Sequence, residues 1–245
     1  PSIIESADYL IMESTYGNRL HMECAKCIDK FINIIIETID RGGNVIIPSF
    51  AVGRTQEVIY ELNKHIGKYH EQLDRILHIP VFIDSPLAIS ATEVFRNNLE
   101  CYDEEAKEYI ANGDNPLDFP GLSFTRTAEE SKDLNDLKEN SIIISASGMC
   151  EAGRIKHHLK HNLWRPESTV LFVGYQAPGT LGRRLVDGAN IVSIFGEEIM
   201  VRAQIEMFDG FSGHADRDGL IDWLSAFKQK PKKVFLVHGE PESMD

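Results

Sequence analysis

Two imidazoles stand where short apolar runs stop. His238 ends the run Val234-Phe235-Leu236-Val237 and is followed by Gly239. His214 lies in the small-residue loop Gly210-Phe211-Ser212-Gly213-His214-Ala215-Asp216, just before an amphipathic segment from Asp218 to Phe227. A carboxylate, Glu13, closes a third run, Ala7 to Glu13, and Ser-Thr-Tyr-Gly then turns the chain. An imidazole at a strand end can ligate a metal or exchange a proton near neutral pH, and a carboxylate can orient it. Taken singly, a histidine in either place is more often a structural residue.

The elements that must position them follow from periodicity. Continuous apolar runs at Ala7 to Glu13, Asn44 to Pro48, Ile79 to Ile83, Ser141 to Ser145 and Thr169 to Val173 predict buried strands. Between them, helical spacing predicts helices over His21 to Asp40, Thr55 to Ile66 and Leu87 to Phe95. Strand, loop and helix alternate from residue 44 to 190, which specifies an α/β fold with an open, mainly parallel sheet flanked by helices. Residues 191 to 208 carry a hairpin pattern around Gly196-Glu197-Glu198. Cys101 to Lys138 reads as surface helices and loops.

Several loops between these elements could meet an anion, although on the residues alone Ser49 to Arg54 reads first as an ordinary helix entry, and a solvated helix face explains most cationic runs. Ser49 to Arg54 is a small-residue loop entering a helix, where unpaired backbone N–H groups and the Arg54 fork can meet phosphate. Ser147 and Gly148 lead into a segment carrying Arg154, Lys156, His157, His158, Lys160 and His161, the clearly cationic stretch of the chain. Arg183 and Arg184 follow a third loop. Asp84, at the end of a strand, reads as a helix cap as readily as a ligand. There is no G-x-G-x-x-G after a strand and no Walker loop, so a nucleotide cofactor is not predicted.

Composition sets outer bounds. With 245 residues and 42% hydrophobic content, the chain can bury a full core as one large domain or two small ones. A formal charge of −13 argues against a non-specific nucleic-acid coat but leaves open a cationic groove. No apolar run approaches the roughly 18 to 20 residues that cross a bilayer, and no signal-peptide pattern opens the chain. The expectation is a cytoplasmic protein with no membrane partner. Cys24, Cys27, Cys101 and Cys150 are too few and scattered for a disulfide scaffold, and the single Cys24-x-x-Cys27 is a weak metal or redox signal.

Six separated stretches carry a resemblance. Met12-Glu13-Ser14-Thr15-Tyr16-Gly17, Pro48-Ser49-Phe50-Ala51-Val52-Gly53-Arg54, Asp84-Ser85-Pro86-Leu87-Ala88, Ser145-Ala146-Ser147-Gly148-Met149, the loop around His214 and the run into His238 follow one another in order. Together they resemble the β-CASP branch of the metallo-β-lactamase superfamily, which contains the mRNA 3′-end processing endonuclease, ribonuclease J and the DNA-repair nuclease Artemis. The resemblance covers essentially the whole chain. It implies a β-CASP domain over residues 18–190 inserted into a metallo-β-lactamase domain, of which residues 1–17 and 191–245 are parts, with the active site in the cleft between.

It also implies roles. His238 resembles a ligand to one of two zinc ions. His214 resembles the histidine that contacts the scissile phosphate and protonates the leaving oxygen, and Glu13 the acid that orients a neighbouring imidazole. Ser49, Arg54, Ser147, Gly148, Arg154 and Arg183 are expected to bind RNA. The implied function is zinc-dependent ribonuclease action on single-stranded RNA. A non-catalytic RNA-binding or scaffold homologue is the alternative, and DNA is a third substrate option. A homodimer is compatible with the sequence. The family's His-x-His-x-Asp-His signature does not occur in the chain, which begins with Pro. The expectation is therefore a fragment of a longer protein, without a complete zinc site and cleaving RNA more slowly than its parent.

Overall fold

The structure is a computed structural model that describes residues 2–21, 24–66, 79–137, 140–208 and 210–244, the side chains of 24–27 and 66 excepted. The Cys24-x-x-Cys27 pair therefore lies outside the described side chains. Along the chain run β1 (Tyr9–Glu13), α1 (Cys24–Asp40), β2 (Val45–Pro48), α2 (Arg54–Ile66), β3 (Val81–Ile83), α3 (Pro86–Asn97), α4 (Glu104–Ala111) and β4 (Leu122–Phe124). There follow α5 (Ala128–Asp133), β5 (Ile142–Ser145), α6 (Ile155–Asn162), β6 (Thr169–Phe172), α7 (Leu181–Val186), β7 (Ile191–Ile194), β8 (Glu197–Met200), β9 (Gln204–Met207), α8 (Arg217–Ser225), β10 (Lys233–Val237) and α9 (Pro241–Met244). No helix among the described residues is long and apolar enough to cross a membrane.

Two compact units result, residues 1–26 with 212–245, and residues 27–211. The sequence reading set its divisions after residues 17 and 190. The larger unit is built on a six-stranded sheet in the order β4-β3-β5-β2-β6-β9, with every pairing parallel. Its central strands, VIIP, IIIS and TVLF, are buried at every position. A parallel sheet covered on both faces leaves no position for water, so its strands read as unbroken apolar runs. The two-residue period then sorts those side chains. Val45, Ile47, Ile142, Ile144 and Leu171 enter one core with Phe31 and Ile35 of α1 and Ile59 and Leu62 of α2. Ile46, Ile143, Val170 and Phe172 enter the other, against Ile155 and Leu159 of α6 and Leu181 and Leu185 of α7. Each fully buried branched side chain contributes about 1.5–3 kcal/mol.

Two strands escape a periodicity reading. β4 (Leu122–Phe124) is three residues at one edge of the sheet, in a region expected to hold helices and loops. β9 (Gln204–Met207) closes the opposite edge by pairing with β6. The hairpin expected around Gly196 forms from β7 and β8, antiparallel, with Val192 and Ile194 buried in the second core.

At the C-terminal end of β3, Asp84 is fully buried, and four side chains donate to its carboxylate. These are Thr125 Oγ1 at 2.5 Å, Ser131 Oγ at 2.6 Å, Arg154 Nη1 at 2.7 Å and His158 Nε2 at 2.6 Å. Asp84 is therefore not the helix cap. Ser85 caps α3, with its hydroxyl accepting from the Ala88 amide at 3.3 Å. Burial alone would raise the Asp84 pKa, but the hydrogen bonds from His158, Ser131, Thr125 and Arg154 outweigh it and hold the carboxyl far below the usual range. The α5 and α6 segments are thereby tied to the sheet edge where the loops emerge.

A depressed folded-state pKa gives stability that is fully present above the unfolded carboxylate value and is lost as pH falls through the folded one. Asp84→Asn leaves Arg154 and His158 facing a neutral amide, at a cost of roughly 3–5 kcal/mol. In urea melts, the gap between wild type and Asp84→Asn is expected to be full at neutral pH and to close only below about pH 4. Equal midpoints at pH 7 would show that the carboxylate is not a keystone of this unit.

Candidate functional site

In the smaller unit, strand register does the positioning. β1 and β10 pair in parallel, with Met12 opposite Leu236 and Glu13 opposite Val237. The next residues of both strands therefore leave the sheet side by side. Ser14 Oγ donates to the Val237 carbonyl at 3.0 Å, and a Cβ on Gly239 would lie 2.5 Å from Ser14 O and Oγ. Only glycine lets the backbones approach that closely. His238 has a φ of 58°, the left-handed region that costs a residue with a side chain about 1–2 kcal/mol. Thr15 holds it there, donating its hydroxyl to the His238 carbonyl at 3.0 Å and meeting His238 Nδ1 at 2.9 Å.

The His214 loop is fixed by the helix it enters. Asp216 caps α8 by accepting from the Gly219 amide at 2.9 Å, and its other oxygen accepts from the His21 amide at 3.1 Å. These two amides hold the Asp216 pKa below its ordinary value. His21 Nε2 donates to the His214 carbonyl at 2.9 Å, and the Tyr16 ring packs edge-on against His21 at 4.9 Å between centroids. The loop is thus anchored on both sides of the imidazole.

These supports bring Glu13, His214 and His238 together. Their candidate ligand atoms all lie within 4.8 Å of one another, in the one such group of His, Cys, Asp and Glu found among the described residues. His214 Nδ1 is 3.4 Å from Glu13 Oε2 and 3.4 Å from Thr15 Oγ1, and the two imidazoles stack with centroids 5.1 Å apart. Burial would raise the Glu13 pKa, but hydrogen bonds from the Thr15 hydroxyl and amide, the latter at 2.7 Å, together with the His214 charge, hold it below the ordinary value. The cluster offers nitrogen and oxygen donors in mutual reach and one ionised acid, an arrangement fit for metal binding and proton transfer. Thr15, His21 and Asp216 were missed from sequence. The signal for Asp216 was legible as an Asp three residues before Gly219 at the start of an amphipathic segment. Thr15 and His21 gave none.

The loops expected to meet RNA leave the C-terminal ends of β2, β5 and β6, which are neighbours in the sheet. Gly148 packs on Phe50, where an added Cβ would approach the ring to 3.1 Å, and Gln176 Nε2 donates to the Gly148 carbonyl at 3.0 Å. The loops therefore do converge, but several of their polar groups face inward. Ser49 is buried and its hydroxyl accepts from Thr55 at 3.1 Å. The Ser147 hydroxyl donates to the Ala152 carbonyl at 3.2 Å. Arg54 pairs with Glu57 at 2.8 Å and Arg183 with Asp187 at 2.8 Å. Arg154, expected to face phosphate, directs Nη1 to Asp84 and the Thr125 carbonyl and Nη2 to the Arg126 carbonyl. The cationic run is likewise divided: His158 is buried on Asp84, and Lys160 pairs with Glu197 at 2.6 Å.

Comparison with known proteins bears on this geometry. The Beta-Casp domain family matches residues 55–185, and the Zn-dependent metallo-hydrolase RNA specificity domain matches residues 198–245. The chain is 38% identical over 244 residues to Ribonuclease TTHA0252 of Thermus thermophilus, covering 100% of this chain and 54% of that protein. It is 36% identical over 239 residues to an RNase J-like protein of Methanocaldococcus jannaschii, covering 97% of this chain and 53% of the relative. To the transcription termination factor FttA of Pyrococcus horikoshii it is 35% identical over 243 residues, covering 95% and 36%. The chain thus spans about half, or less, of the length of these curated relatives. With its parallel sheet, its ordered motifs and a family match across more than half of its residues, the chain belongs to the β-CASP family of metallo-hydrolases.

Proposed function

We propose that this chain is the β-CASP-containing part of a zinc-dependent ribonuclease that hydrolyses phosphodiester bonds in single-stranded RNA. The observation that carries the reading is the meeting of Glu13, His214 and His238 around one threonine hydroxyl at the exit of two parallel strands. The match of residues 198–245 to an RNA specificity domain, and a relative named a ribonuclease, support it.

Within the cluster His238 offers zinc an imidazole nitrogen, one of the three or more protein ligands that a catalytic zinc ordinarily takes. Thr15 has a single hydroxyl proton, which is drawn by oxygen, the His238 carbonyl and the Glu13 carboxylate, rather than by a ring nitrogen. The hydroxyl oxygen then accepts from His238 Nδ1–H, which leaves the Nε2 lone pair as the ligand. Zinc, when bound, supplies Lewis acidity toward phosphate oxygen and a water activated at neutral pH. His214 has the other task. Glu13 accepts from its Nδ1, so Nε2 is the nitrogen that gives a proton to the leaving oxygen. Glu13, its carboxyl held below the ordinary range and so ionised well into mild acid, keeps that ring oriented. Arg54 and Arg183, partly exposed beside their carboxylate partners, supply positive charge toward the RNA backbone.

Three measurements on the protein carrying this chain test the reading. His214→Ala is expected to lower cleavage of a single-stranded RNA by about 100-fold or more while zinc content stays unchanged. Parent-like cleavage would remove His214 from the chemistry and favour a non-catalytic, RNA-binding homologue. Thr15→Val removes the hydroxyl that fixes the His238 tautomer, so zinc affinity should fall by about 10- to 100-fold, read by competition with a chelator. Unaltered zinc retention with an unaltered melting midpoint would reject the tautomer argument. Arg54→Ala and Arg183→Ala should each weaken RNA binding and flatten its logarithmic salt dependence by about one unit. An unchanged slope assigns both arginines to structure.

A further inference from the structure

The hairpin of β7 and β8 turns on Phe195 and Gly196 alone, since Ile194 pairs with Glu197. Both turn residues are left-handed, with φ of 53° and 80°. Such a turn ordinarily takes Asn-Gly or Gly-Gly, because a bulky side chain at positive φ strains its backbone. Phenylalanine here therefore costs stability that asparagine would not. Burial does not recover the cost, for Phe195 stands 52% exposed while Val192 and Ile194 of the same hairpin fill the second core. A strained, solvent-facing aromatic ring on a well-anchored turn points to a ligand.

The surroundings of the ring select the kind of ligand. From α6, His157 stacks on Phe195 with centroids 4.5 Å apart and planes at 34°, and Lys156 Nζ stands over the ring, 5.2 Å from its centroid. Burial first, and then the charges of His158 and Lys160, hold the His157 pKa below its ordinary value, so its ring meets Phe195 as a neutral aromatic. Lys160, one turn further on, is bound to Glu197 at 2.6 Å and adds a tie between helix and hairpin. Lys156 has no ion pair among the described residues, so its charge stands uncompensated beside the ring. An aromatic surface with an ammonium beside it matches a nucleotide, whose base stacks and whose phosphate takes the charge. An acidic peptide would use the lysine and leave the ring idle. An apolar peptide would use the ring and leave the lysine unpaired.

We propose that Phe195 is a stacking platform for one base of the single-stranded RNA, with Lys156 on the phosphate next to that base. The flexible stem of the lysine lets its ammonium pass from the ring to the phosphate as the base arrives. Stacking accepts any base, so the platform grips the strand without choosing its sequence. It rests on the RNA reading above and adds a contact outside the Glu13, His214 and His238 cluster.

Fluorescence anisotropy of a hydrolysis-resistant phosphorothioate oligoadenylate, with the protein carrying this chain, tests the platform, and polyphosphate is the comparator that has charge without bases. Phe195→Asn is expected to weaken oligoadenylate binding about tenfold or more and to leave polyphosphate binding unchanged. Its melting midpoint should hold or rise, because asparagine suits the left-handed turn. Lys156→Gln should weaken both ligands and flatten the logarithmic salt dependence for RNA by about one unit. If the asparagine variant misfolds, Phe195→Leu and Phe195→Tyr decide the matter: both keep apolar bulk, but only tyrosine keeps the aromatic face and should bind as the wild type does. RNA affinity untouched by Phe195→Asn, or equal for the leucine and tyrosine variants, overturns the platform and leaves the ring to a protein contact or to a staple on His157. A wild type that binds no RNA defeats the ribonuclease reading as well, whereas RNA binding indifferent to Phe195 defeats the platform alone.

Discussion

The parallel register that sets Glu13 opposite Val237 is the constraint on which the candidate site depends. Shifted by one residue, β1 would turn its side chains to the opposite face, and Thr15 would no longer reach the turn after β10. In the register observed, one hydroxyl can serve the His238 carbonyl, the His238 ring and the His214 ring. The left-handed backbone of His238 and the bare α-carbon of Gly239 are both consequences of bringing these strand ends so close. Local strain of this kind persists only where the surroundings over-determine it, and here Ser14 and Thr15 supply the determination from the facing strand.

The larger unit obeys a comparable rule with other chemistry. Its sheet ends in a row of loops, and the buried Asp84 carboxylate gathers two of the elements that follow them, through Ser131 of α5 and His158 of α6. A charge without contact with water is tolerable only when its lone pairs are taken up, and here four donors do so. Arg154 is the donor that also reaches the Thr125 and Arg126 carbonyls, so a single guanidinium ties the start of α6 to the segment after β4. A positive charge read from sequence as a phosphate contact is in this structure the counter-ion of a buried acid.

That difference shows where sequence legibility stops. The runs VIIP, IIIS and TVLF announced a parallel sheet because burial on both faces leaves no polar position to interrupt them. β4, with LSF, and β9, with QIEM, gave no such signal, since edge strands are short and half-covered. At the site, Glu13, His214 and His238 were legible because each ends a run or opens a helix. Thr15 was not, because its role depends on a chain 223 positions away. The same holds for Arg154 and Asp84, separated by 70 positions, and for His158, which sits in a cationic run that reads as solvated yet is fully buried. Chemistry set by a strand end is visible locally, whereas chemistry set by a partner across the fold is not.

The β1 and β10 ribbon carries Tyr9 at 64%, Ile11 at 71% and Phe235 at 49% exposure, on a chain whose formal charge is −13. Long-range repulsion between acidic surfaces therefore opposes short-range adhesion between apolar ribbons. Added salt shortens the reach of the repulsion to about 10 Å at 0.1 M and leaves the adhesion in place. Any adhesion between such ribbons should consequently grow with ionic strength, whereas any electrostatic capture of a polyanion should fade over the same range. The two processes have opposite salt signatures, so the medium that best displays one conceals the other.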